Sequence, residues 1–201
     1  MNNLANKSGL SVLGSRYPWP EARPNLPFNP GGWFPQCNKE SLQKHLSPKT
    51  ELVVELGSWL GLSTRWIMDQ APNAWLIAID NWQGGKEIKD DPILPVVYDT
   101  FVSNCWAYKD RLVQMRTTTE AGLDELLGLG VKPDLVYLDA GHDYESVQQD
   151  INACIKFGCT LIGDDFNPNA WPGVVQAVWE NSLGIGQLAV HGSCWTIPGV
   201  K

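Results

Sequence analysis

The sequence predicts an α/β protein with a doubly wound, Rossmann-like sheet of seven strands, mostly parallel, that ends in a C-terminal antiparallel hairpin. Short apolar runs alternate with segments of helical period along most of the chain, which is typical of helices covering both faces of a parallel sheet. Several of these runs end on an acidic residue. The last two runs are separated only by residues 191–193, a spacing that favours a hairpin.

The clearest unit is a strand, a helix and a second strand between residues 135 and 162. Residues 135–138 form an uninterrupted apolar run, and residues 159–162, Cys-Thr-Leu-Ile, form a second, mainly apolar one, as expected for strands buried on both faces. Between them, Val147, Ile151 and Ile155 recur at helical spacing. A connection of this length predicts that the two strands are parallel.

Acidic residues follow both of these strands. Asp139 ends the first, and Asp164 and Asp165 end the second. Neighbouring parallel strands lie about 5 Å apart, so these side chains should converge at the edge where α/β proteins bind ligands. Clustered carboxylates repel one another unless a cation lies between them, and a hard divalent cation such as Mg²⁺ is the natural candidate.

The remaining elements follow in order from the same periodicities. Further strands are predicted at residues 52–56, 75–79, 112–115, 187–190 and 194–197, and further helices at residues 38–46, 64–70, 96–108, 120–127 and 174–181. The polar connection over residues 81–95 is long for a compact domain, and such loops are usually functional or mobile. Its charged run, residues 86–91, is predicted to be a solvated loop or a segment that closes over the site.

Residues 1–36 differ from the rest and form a predicted N-terminal arm, while residues 37–201 form the main domain. Six prolines from Pro18 to Pro35 forbid a helix, and aromatic residues lie among them. We expect a disordered first stretch and then an extended arm packed on the body. Two roles stay open for the arm: a passive wrap, or a lid that supplies walls to a substrate pocket.

Charge and composition narrow the classes of partner. A net charge of −7 argues against a nucleic-acid-binding protein, which needs a basic surface. No apolar stretch approaches the length of a membrane span, and the start lacks the apolar centre of a secretory signal. Five scattered cysteines suit reduced thiols in a cytoplasmic protein. We expect a small-molecule acceptor and neither nucleic acid nor membrane as a partner; a homo-oligomer stays open.

A glycine-containing turn joins the first strand of the main domain to the following helix. Gly57 and Gly61 let the backbone approach a ligand, and the helix amino terminus favours an electron-rich group. Glu55, just before the turn, would repel a phosphate and would suit a cationic ligand, such as a sulfonium with an attached amino group.

Asp80 ends the second strand, close to twenty residues beyond Gly61. An acid at this place can accept hydrogen bonds from both hydroxyls of a ribose. S-adenosylmethionine has a ribose, a positive charge and no phosphate, and it therefore meets all the conditions. The alternative is that Glu55 and Asp80 are strand-end carboxylates that bind only the backbone of a turn.

These motifs resemble class I S-adenosylmethionine-dependent methyltransferases, and more narrowly the small metal-dependent group that includes macrolide-sugar O-methyltransferases. The resemblance covers residues 51–178 and rests on Asp-Ala-Gly-His-Asp-Tyr-Glu at 139–145, Gly-Asp-Asp at 163–165 and Pro-Gly-Val-Val-Gln-Ala-Val at 172–178. Residues 157–159 depart from it, since the group usually has paired glycines there, and this should only reshape a turn. The resemblance implies that residues 37–201 form a methyltransferase domain.

The resemblance also implies a role for each candidate residue. It places Glu55, Gly57, Ser58 and Ser63 around the methionine moiety, Asp80 on the ribose, Thr118 or Thr119 at the adenine, Asp139, Asp164 and Asp165 on Mg²⁺, and His142 as general base beside the catalytic Asp139. An imidazole with a pKa near 6.5 can accept the proton of a hydroxyl. The alternative for His142 is a structural role at the start of the next helix.

The predicted function is Mg²⁺-dependent O-methylation of a small molecule with two adjacent oxygens, such as a sugar diol or a catechol. Two other classes are weighed against it. A nucleotide-cofactor oxidoreductase would need a phosphate-binding turn, against which Glu55 argues. A cofactor-binding protein without catalysis would have no reason to keep the acids and His142 together.

Overall fold

A computed structural model describes residues 2–85 and 88–199. Within these residues the helices are α1 Asn2–Arg16, α2 Gln36–His45, α3 Leu62–Gln70, α4 Val97–Cys105, α5 Thr119–Gly128, α6 Tyr144–Ile155 and α7 Pro172–Ile185. The strands are β1 Leu52–Leu56, β2 Trp75–Asp80, β3 Leu112–Arg116, β4 Leu135–Leu138, β5 Thr160–Gly163, β6 Ala189–His191 and β7 Cys194–Ile197. Single 3-10 turns flank α4 at Leu94–Val96 and Trp106–Tyr108.

The strands form one sheet in the order β3-β2-β1-β4-β5-β7-β6. The five strands from β3 to β5 are parallel, and β7 pairs antiparallel with both β5 and β6. This confirms the predicted fold class, including the parallel β4-α6-β5 unit and the closing hairpin. The order reverses between β1 and β4, and α/β sheets bind their ligands beside such a switch point.

Helices cover both faces of the sheet because the strand residues alternate between two apolar layers. Val54 and Leu56 of β1 face the layer of α1, α5, α6 and α7, whereas Val53 faces the layer of α2, α3 and α4. All three side chains are fully buried, as expected for a central strand covered on both sides.

Most predicted boundaries agree with the observed ones within two residues. β1, β4 and β7 match residue for residue, whereas β6 begins two residues late and α7 runs four residues further than predicted. In the long connection, Lys86 and Glu87 lie outside the described residues, and Lys89 and Asp90 are exposed, as a solvated loop requires.

The prediction of a disordered first stretch is wrong, because Asn2–Arg16 forms helix α1. The prolines that forbid a helix begin only at Pro18. The docking contacts of α1 include a polar one that hydrophobic periodicity does not reveal: Asn6 Nδ2 donates to the Lys132 carbonyl at 2.9 Å, and the Lys132 N–H donates to Asn6 Oδ1 at 2.8 Å. Leu10 and Leu13 then add to the core.

The extended part of the N-terminal arm, residues 17–35, packs along the body as predicted. The Asn104 side chain of α4 accepts from the Asn29 N–H at 3.0 Å and donates to the Asn29 carbonyl at 2.7 Å. It also donates to the Leu60 carbonyl at 2.8 Å. The ring of Trp33 lies 6.3 Å from that of Trp59. The arm therefore passes beside the glycine turn before it enters α2.

The start of this extended part covers the outer edge of β3. Trp19 Nε1 donates to the Leu112 carbonyl at 2.8 Å, and Gln114 Nε2 donates to the carbonyls of Tyr17 and Pro18 at 3.1 and 3.0 Å. At the opposite edge, β6 has only three residues, all of them exposed. Among the described helices, none combines the length and the apolar character that crossing a membrane requires.

Candidate active site

The β1–α3 turn brings the backbone of the first strand against the end of the fourth. Gly57 has a φ of +80°, and a Cβ atom there would lie 2.0 Å from the carbonyl oxygen of Asp139. Glycine is required by this approach as well as by the left-handed backbone. Gly61, with a φ of +81°, serves packing instead, since a Cβ atom there would lie 2.4 Å from the buried Cys105 Sγ.

Glu55 is the most unusual group in this turn, because it is fully buried and only one of its oxygens is hydrogen-bonded. Ser58 Oγ donates to Glu55 Oε2 at 2.6 Å, and Thr64 Oγ1 donates to the same oxygen. Oε1 has no hydrogen-bond partner among the described residues. Burial raises the pKa of Glu55, and hydrogen bonds from Ser58, Ser63 and Thr64 partly offset the rise. An unpaired, buried carboxylate oxygen favours a cationic group beside it.

Asp80 holds the backbone of two loops. Its Oδ2 accepts from the N–H groups of Ser58 and Trp59, each at 2.9 Å, and its Oδ1 accepts from the Trp82 N–H at 2.7 Å. Burial raises the pKa of Asp80, and these backbone donors offset the rise only in part. All three hydrogen bonds come from backbone N–H groups. They agree with the alternative that Asp80 is a strand-end carboxylate that binds the backbone of a turn.

The two tryptophans held by Asp80 both have left-handed backbones. The φ angle is +45° at Trp59 and +51° at Trp82, and Trp82 Nε1 donates to the Trp59 carbonyl at 2.8 Å. Bulky residues rarely adopt this conformation, and such strain collects at ligand-binding sites.

The acids that end β4 and β5 lie side by side because the strands are in register. Leu138 pairs with Gly163, so Asp139 and Asp164 are the next residues on adjacent strands. Burial, followed by the charges of Asp164 and Asp165, raises the pKa of Asp139 well above its usual range. The register therefore brings Asp139 and Asp164 to the same edge of the sheet, and Asp165 follows Asp164 there.

The three acids do not play equal parts in this cluster. Ligand atoms of Asp139, His142 and Asp165 all lie within 4.8 Å of one another, the only such group found among the described residues. Asp164 is buried, and its Oδ1 accepts from Ser193 Oγ at 2.6 Å and from the Asp165 N–H at 2.7 Å. Asp164 therefore stands beside the group rather than within it.

His142 faces this cluster. Its Nε2 lies 2.9 Å from Asp165 Oδ2, and its ring stacks on Trp171 with a centroid distance of 4.1 Å. Asp165 has a φ of +66°, which turns its carboxylate towards the imidazole. The helix-capping alternative belongs to a different residue, because Asp143 Oδ1 accepts from the Ser146 N–H at the start of α6.

The donor set fits a hard divalent cation. Carboxylate oxygens from two strand ends and an imidazole nitrogen within a few ångströms are ligands that Mg²⁺ or Mn²⁺ accepts. A small cavity of about 20 Å³, bordered by Asp139, Asp164 and Asp165, adjoins the cluster and has room for about one water molecule. The acids also need a positive charge between them to ionise together.

The two candidate adenine contacts lie at the end of β3. Thr118 is exposed and caps α5, since its Oγ1 accepts from the Ala121 N–H at 3.3 Å. Thr119 is half-buried and has a hydrogen-bonding interaction with Asp150 of α6. Asp150 also borders the small cavity beside Asp139, Asp164 and Asp165, so Thr119 contacts a residue of that cavity.

The sequence analysis did not predict the side chains that form hydrogen bonds with the acids on the side facing the protein interior. Tyr137 Oη donates to Asp139 Oδ2 at 3.2 Å, and Asn38 of α2 donates to Tyr137 Oη at 2.9 Å. Tyr137 had a usable signal, because it lies two residues before Asp139 and so on the same face of the strand. Asn38, Ser193 and Trp171 had none, since only the tertiary fold brings them to the site.

The sheet order, the glycine turn after β1 and the acids after β4 and β5 together define a Rossmann-like methyltransferase. A family model described as a methyltransferase domain matches residues 54–166, more than half of the chain. The chain belongs to this family and is an S-adenosylmethionine-dependent methyltransferase. No curated protein sequence matches it.

Solved structures share this fold at low sequence identity. An O-methyltransferase from Bacillus cereus in complex with SAH has a TM-score of 0.60 at 15% identity, covering 98% of this chain and 91% of that one. MycE from the mycinamycin biosynthetic pathway, in complex with Mg and SAH, has a TM-score of 0.59 at 16% identity, covering 96% of this chain and 54% of that one. Apo CalS11, a TDP-rhamnose 3'-O-methyltransferase of calicheamicin biosynthesis, has a TM-score of 0.59 at 14% identity, covering 98% of this chain and 93% of that one.

Proposed function

We propose that this protein is a Mg²⁺-dependent O-methyltransferase that methylates a hydroxyl of a small molecule. The observation that carries the proposal is the group of Asp139, His142 and Asp165, whose ligand atoms lie within 4.8 Å of one another at the edge where the sheet binds ligands. MycE, described with Mg and SAH, supports it as a protein of similar fold.

Residues of the β1–α3 turn would hold the methyl donor. We assign Glu55, with its unpartnered Oε1, to the ammonium group of S-adenosylmethionine. Gly57, Ser58 and Ser63 would surround the methionine moiety, and the two serines also orient Glu55. Asp80 would bind the ribose with the hydrogen-bonding capacity that the two loops leave free. Thr118 or Thr119 would contact the adenine.

The metal would be held by Asp139 and Asp165, with Asp164 on the adjacent strand end as the third carboxylate. When bound, a divalent ion lowers the pKa of a hydroxyl and fixes its direction. His142 accepts the proton that the hydroxyl loses, and Asp165 and the stacked Trp171 orient its ring for this. The methyl group then moves from sulfur to oxygen, and the sulfur keeps the electron pair of the broken bond.

The acceptor should present two adjacent oxygens, as a sugar diol or a catechol does, because a chelating pair best fixes the reacting hydroxyl. We further propose a cytoplasmic enzyme with a methyltransferase domain over residues 37–201 and the arm of residues 1–36 before it. Neither nucleic acid nor a membrane is expected as a partner. Whether the enzyme works as a homo-oligomer is left to measurement.

Calorimetry with S-adenosylhomocysteine, with NAD and with MgCl₂ tests this proposal against its rivals. We expect heat from S-adenosylhomocysteine and from Mg²⁺, and none from NAD. Heat from NAD would favour an oxidoreductase. Absence of both heat and thermal shift with S-adenosylhomocysteine would overturn the proposal, and binding without methyl transfer to any catechol or sugar acceptor would favour a non-catalytic protein.

Paired variants separate the roles of the two acids after β5. Asp164→Asn and Asp165→Asn should each abolish turnover and leave the affinity for S-adenosylhomocysteine nearly unchanged, because neither residue lies in the β1–α3 turn. Full turnover in both variants would remove the metal from the mechanism. A loss in Asp165→Asn alone would show that Asp164 is outside the metal site.

A further inference from the structure

The inner side of the acid cluster is hydrogen-bonded by two neutral side chains from different elements. Asn38 of α2 is fully buried, and its Nδ2 donates to Tyr137 Oη at 2.9 Å. Tyr137 is also fully buried, and its Oη donates to Asp139 Oδ2 at 3.2 Å. A continuous path of hydrogen bonds therefore joins helix α2 to the carboxylate that ends β4.

The same carboxamide also reaches the neighbouring strand. Asn38 has a second hydrogen-bonding interaction, with the carboxylate of Asp164 after β5. A primary amide has two N–H donors, so a single side chain can serve both strands. Asn38 thus lies between Tyr137, which binds the acid after β4, and the acid after β5.

These two polar side chains lie in a largely apolar layer. Their neighbours in it include Leu42 and Phe34, whose ring lies 5.9 Å from that of Tyr137. Burial of an amide and a phenol is costly unless their hydrogen bonds are satisfied, and apolar residues would pack there without that cost. Glu55 of β1 also pairs with Tyr137 in register, but the Tyr137 hydroxyl donates to Asp139 and not to Glu55. The acids after β4 and β5 therefore account for the polar pair.

The direction of the hydrogen bonds suits a cation on the opposite side. Donors that bind the inner lone pairs fix the rotation of the carboxylates and leave their other lone pairs for a cation.

We propose that Asn38 and Tyr137 are a positioning pair that sets the orientation of Asp139 and Asp164 and thereby the affinity of the site for a divalent cation. The inference rests on the proposed function, because it concerns the same metal site. Neither residue touches the acceptor or the methyl donor in this role. They act through the carboxylates alone.

Titration of the full chain with Mn²⁺, followed by the electron paramagnetic resonance of the free ion, tests the pair. Tyr137→Phe removes a single oxygen atom and keeps the ring that packs on Phe34. We expect Mn²⁺ to bind about 10 to 100 times more weakly, the usual effect of losing a partner of a metal ligand. The affinity for S-adenosylhomocysteine should stay unchanged.

Asn38→Leu and the double variant test whether the two residues act as a unit. Asn38→Leu should also weaken Mn²⁺ binding. The double variant should lose less affinity than the two single losses combined, because Asn38 acts partly through the Tyr137 hydroxyl. If Asn38→Leu does not fold, the result for Tyr137→Phe decides alone.

Tyr98→Phe is the matched control. Tyr98 Oη donates to Gln114 Oε1 at 2.7 Å, so this variant also removes one phenol hydrogen bond at the sheet, but away from the acids. We expect a loss of stability there without a change in Mn²⁺ affinity. Equal weakening in Tyr98→Phe and Tyr137→Phe would overturn the proposal, because the effect would then be structural.

The outcomes separate this proposal from the one on which it rests. A wild-type protein that binds Mn²⁺ no more tightly than Tyr137→Phe overturns the positioning pair and leaves the proposed function intact. A wild-type protein that binds S-adenosylhomocysteine but no Mn²⁺ overturns both the positioning pair and the proposed dependence on a metal. A protein that binds neither ligand overturns the proposed function as a whole.

Discussion

Glu55 is a buried acid with one oxygen free of hydrogen bonds among the described residues. In the absence of a ligand, ionisation of this group is unfavourable because burial removes the carboxylate from water. The ammonium of the methyl donor would relieve this cost. The same residue thus lowers the stability of the empty protein and raises its affinity for the cofactor.

Glu55→Gln should separate these two effects. The raised pKa of Glu55 means that its contribution to stability is complete below the unfolded-state pKa and is lost as pH rises through the folded-state value. The amide variant should therefore unfold at a higher temperature than the wild type at pH 8, and bind S-adenosylhomocysteine about 10 to 100 times more weakly, a loss of roughly 1.4–2.7 kcal/mol. Scanning calorimetry and titration calorimetry measure both quantities, with the exposed Glu51→Gln as control. Unchanged affinity would exclude Glu55 from the cofactor site.

His142 belongs to the same compact group as Asp139 and Asp165, so it could act as a base or as a metal ligand. For a general base, His142→Gln should lower kcat by about 10²- to 10⁴-fold, because the proton then has no acceptor, and should leave Mn²⁺ affinity in place. Kinetics and Mn²⁺ titration on the same preparation decide between the roles. A parallel fall in Mn²⁺ affinity would make His142 a ligand. His191→Gln, in an exposed pair with Glu40, is the control.

At the scale of single residues, the position of the acids follows from the sequence, whereas their surroundings do not. Asp139 and Asp164 lie side by side because each follows one of two adjacent strands in register, and their role as metal ligands stays a prediction. The hydrogen bonds of Asp80 to Trp59 and Trp82 could not be predicted, because left-handed backbones at tryptophan have no signature in composition or period.

The β1–α3 turn depends on one close backbone approach. In Gly57→Ala the added methyl would lie 2.0 Å from the Asp139 carbonyl oxygen and would also occupy a left-handed backbone, which alone costs of order 1–3 kcal/mol. We expect lower stability and weaker binding of both S-adenosylhomocysteine and Mn²⁺, because the turn and the end of β4 must move apart. Gly128→Ala, with open space around its added Cβ, should have neither effect. Normal binding of both ligands by Gly57→Ala would contradict this account.

The packing of α6 against α5 buries a carboxylate that the proposed mechanism does not use. Burial raises the pKa of Asp150 to about 6, and a hydrogen-bonding interaction with Thr119 only partly opposes it. The protonated acid is thus favoured by folding, and its contribution to stability is complete below about pH 4 and is lost as pH rises through about 6.

Asp150→Asn should consequently stabilise the protein at pH 8 and not at pH 4. The gain at pH 8 should be at most about 3 kcal/mol, since one pKa unit corresponds to about 1.4 kcal/mol. Urea unfolding at the two pH values measures it, and Asp124→Asn on the exposed side of α5 should change little at either. An equal gain at both pH values would show that ionisation of Asp150 is not the cause.

At the scale of elements, the strands were easier to predict than the first helix. Strand β4 is a continuous apolar run and β1 is an apolar run interrupted only by Glu55, and both runs gave the observed boundaries. Helix α1 docks partly through Asn6 and through Gly9, where an added Cβ would lie 2.6 Å from Val131. Contacts made by polar and small residues leave no apolar stripe in the sequence.

For the whole molecule, the acid cluster links stability to both pH and metal. The raised pKa of Asp139 makes the metal-free protein less stable as pH rises through that value, and a bound cation would remove the penalty by requiring the ionised form. MgCl₂ should therefore raise Tm more at pH 8 than at pH 5.5. At 100 times Kd the gain is about 2.7 kcal/mol, which corresponds to roughly 5–10 °C for a chain of this size.

Thermal scans with MgCl₂ and with NaCl of equal ionic strength measure this linkage. Asp165→Asn should reduce the Mg²⁺-dependent shift at both pH values. A shift that is equal at pH 5.5 and pH 8, or that NaCl reproduces, would mean that general screening of charge and not a metal site is responsible.

The fold as a whole was predictable because its signals are redundant. Each βα unit repeats the same pattern, so an error in one boundary does not change the order of the sheet. The path of the arm could not be predicted in the same way, because it depends on single contacts such as those of Asn104 with Asn29 and Leu60.

The cover that residues 17–19 place over β3 has a consequence for how copies of this protein can meet. Strand exchange and amyloid growth need a long row of free backbone groups. At the β3 edge of the sheet, Trp19 donates to a β3 carbonyl and Gln114 of β3 donates to the carbonyl of Tyr17. At the opposite edge, strand β6 has only three residues. Addition of foreign strands is thereby discouraged at both edges, and any self-association would be directed to the helical surfaces.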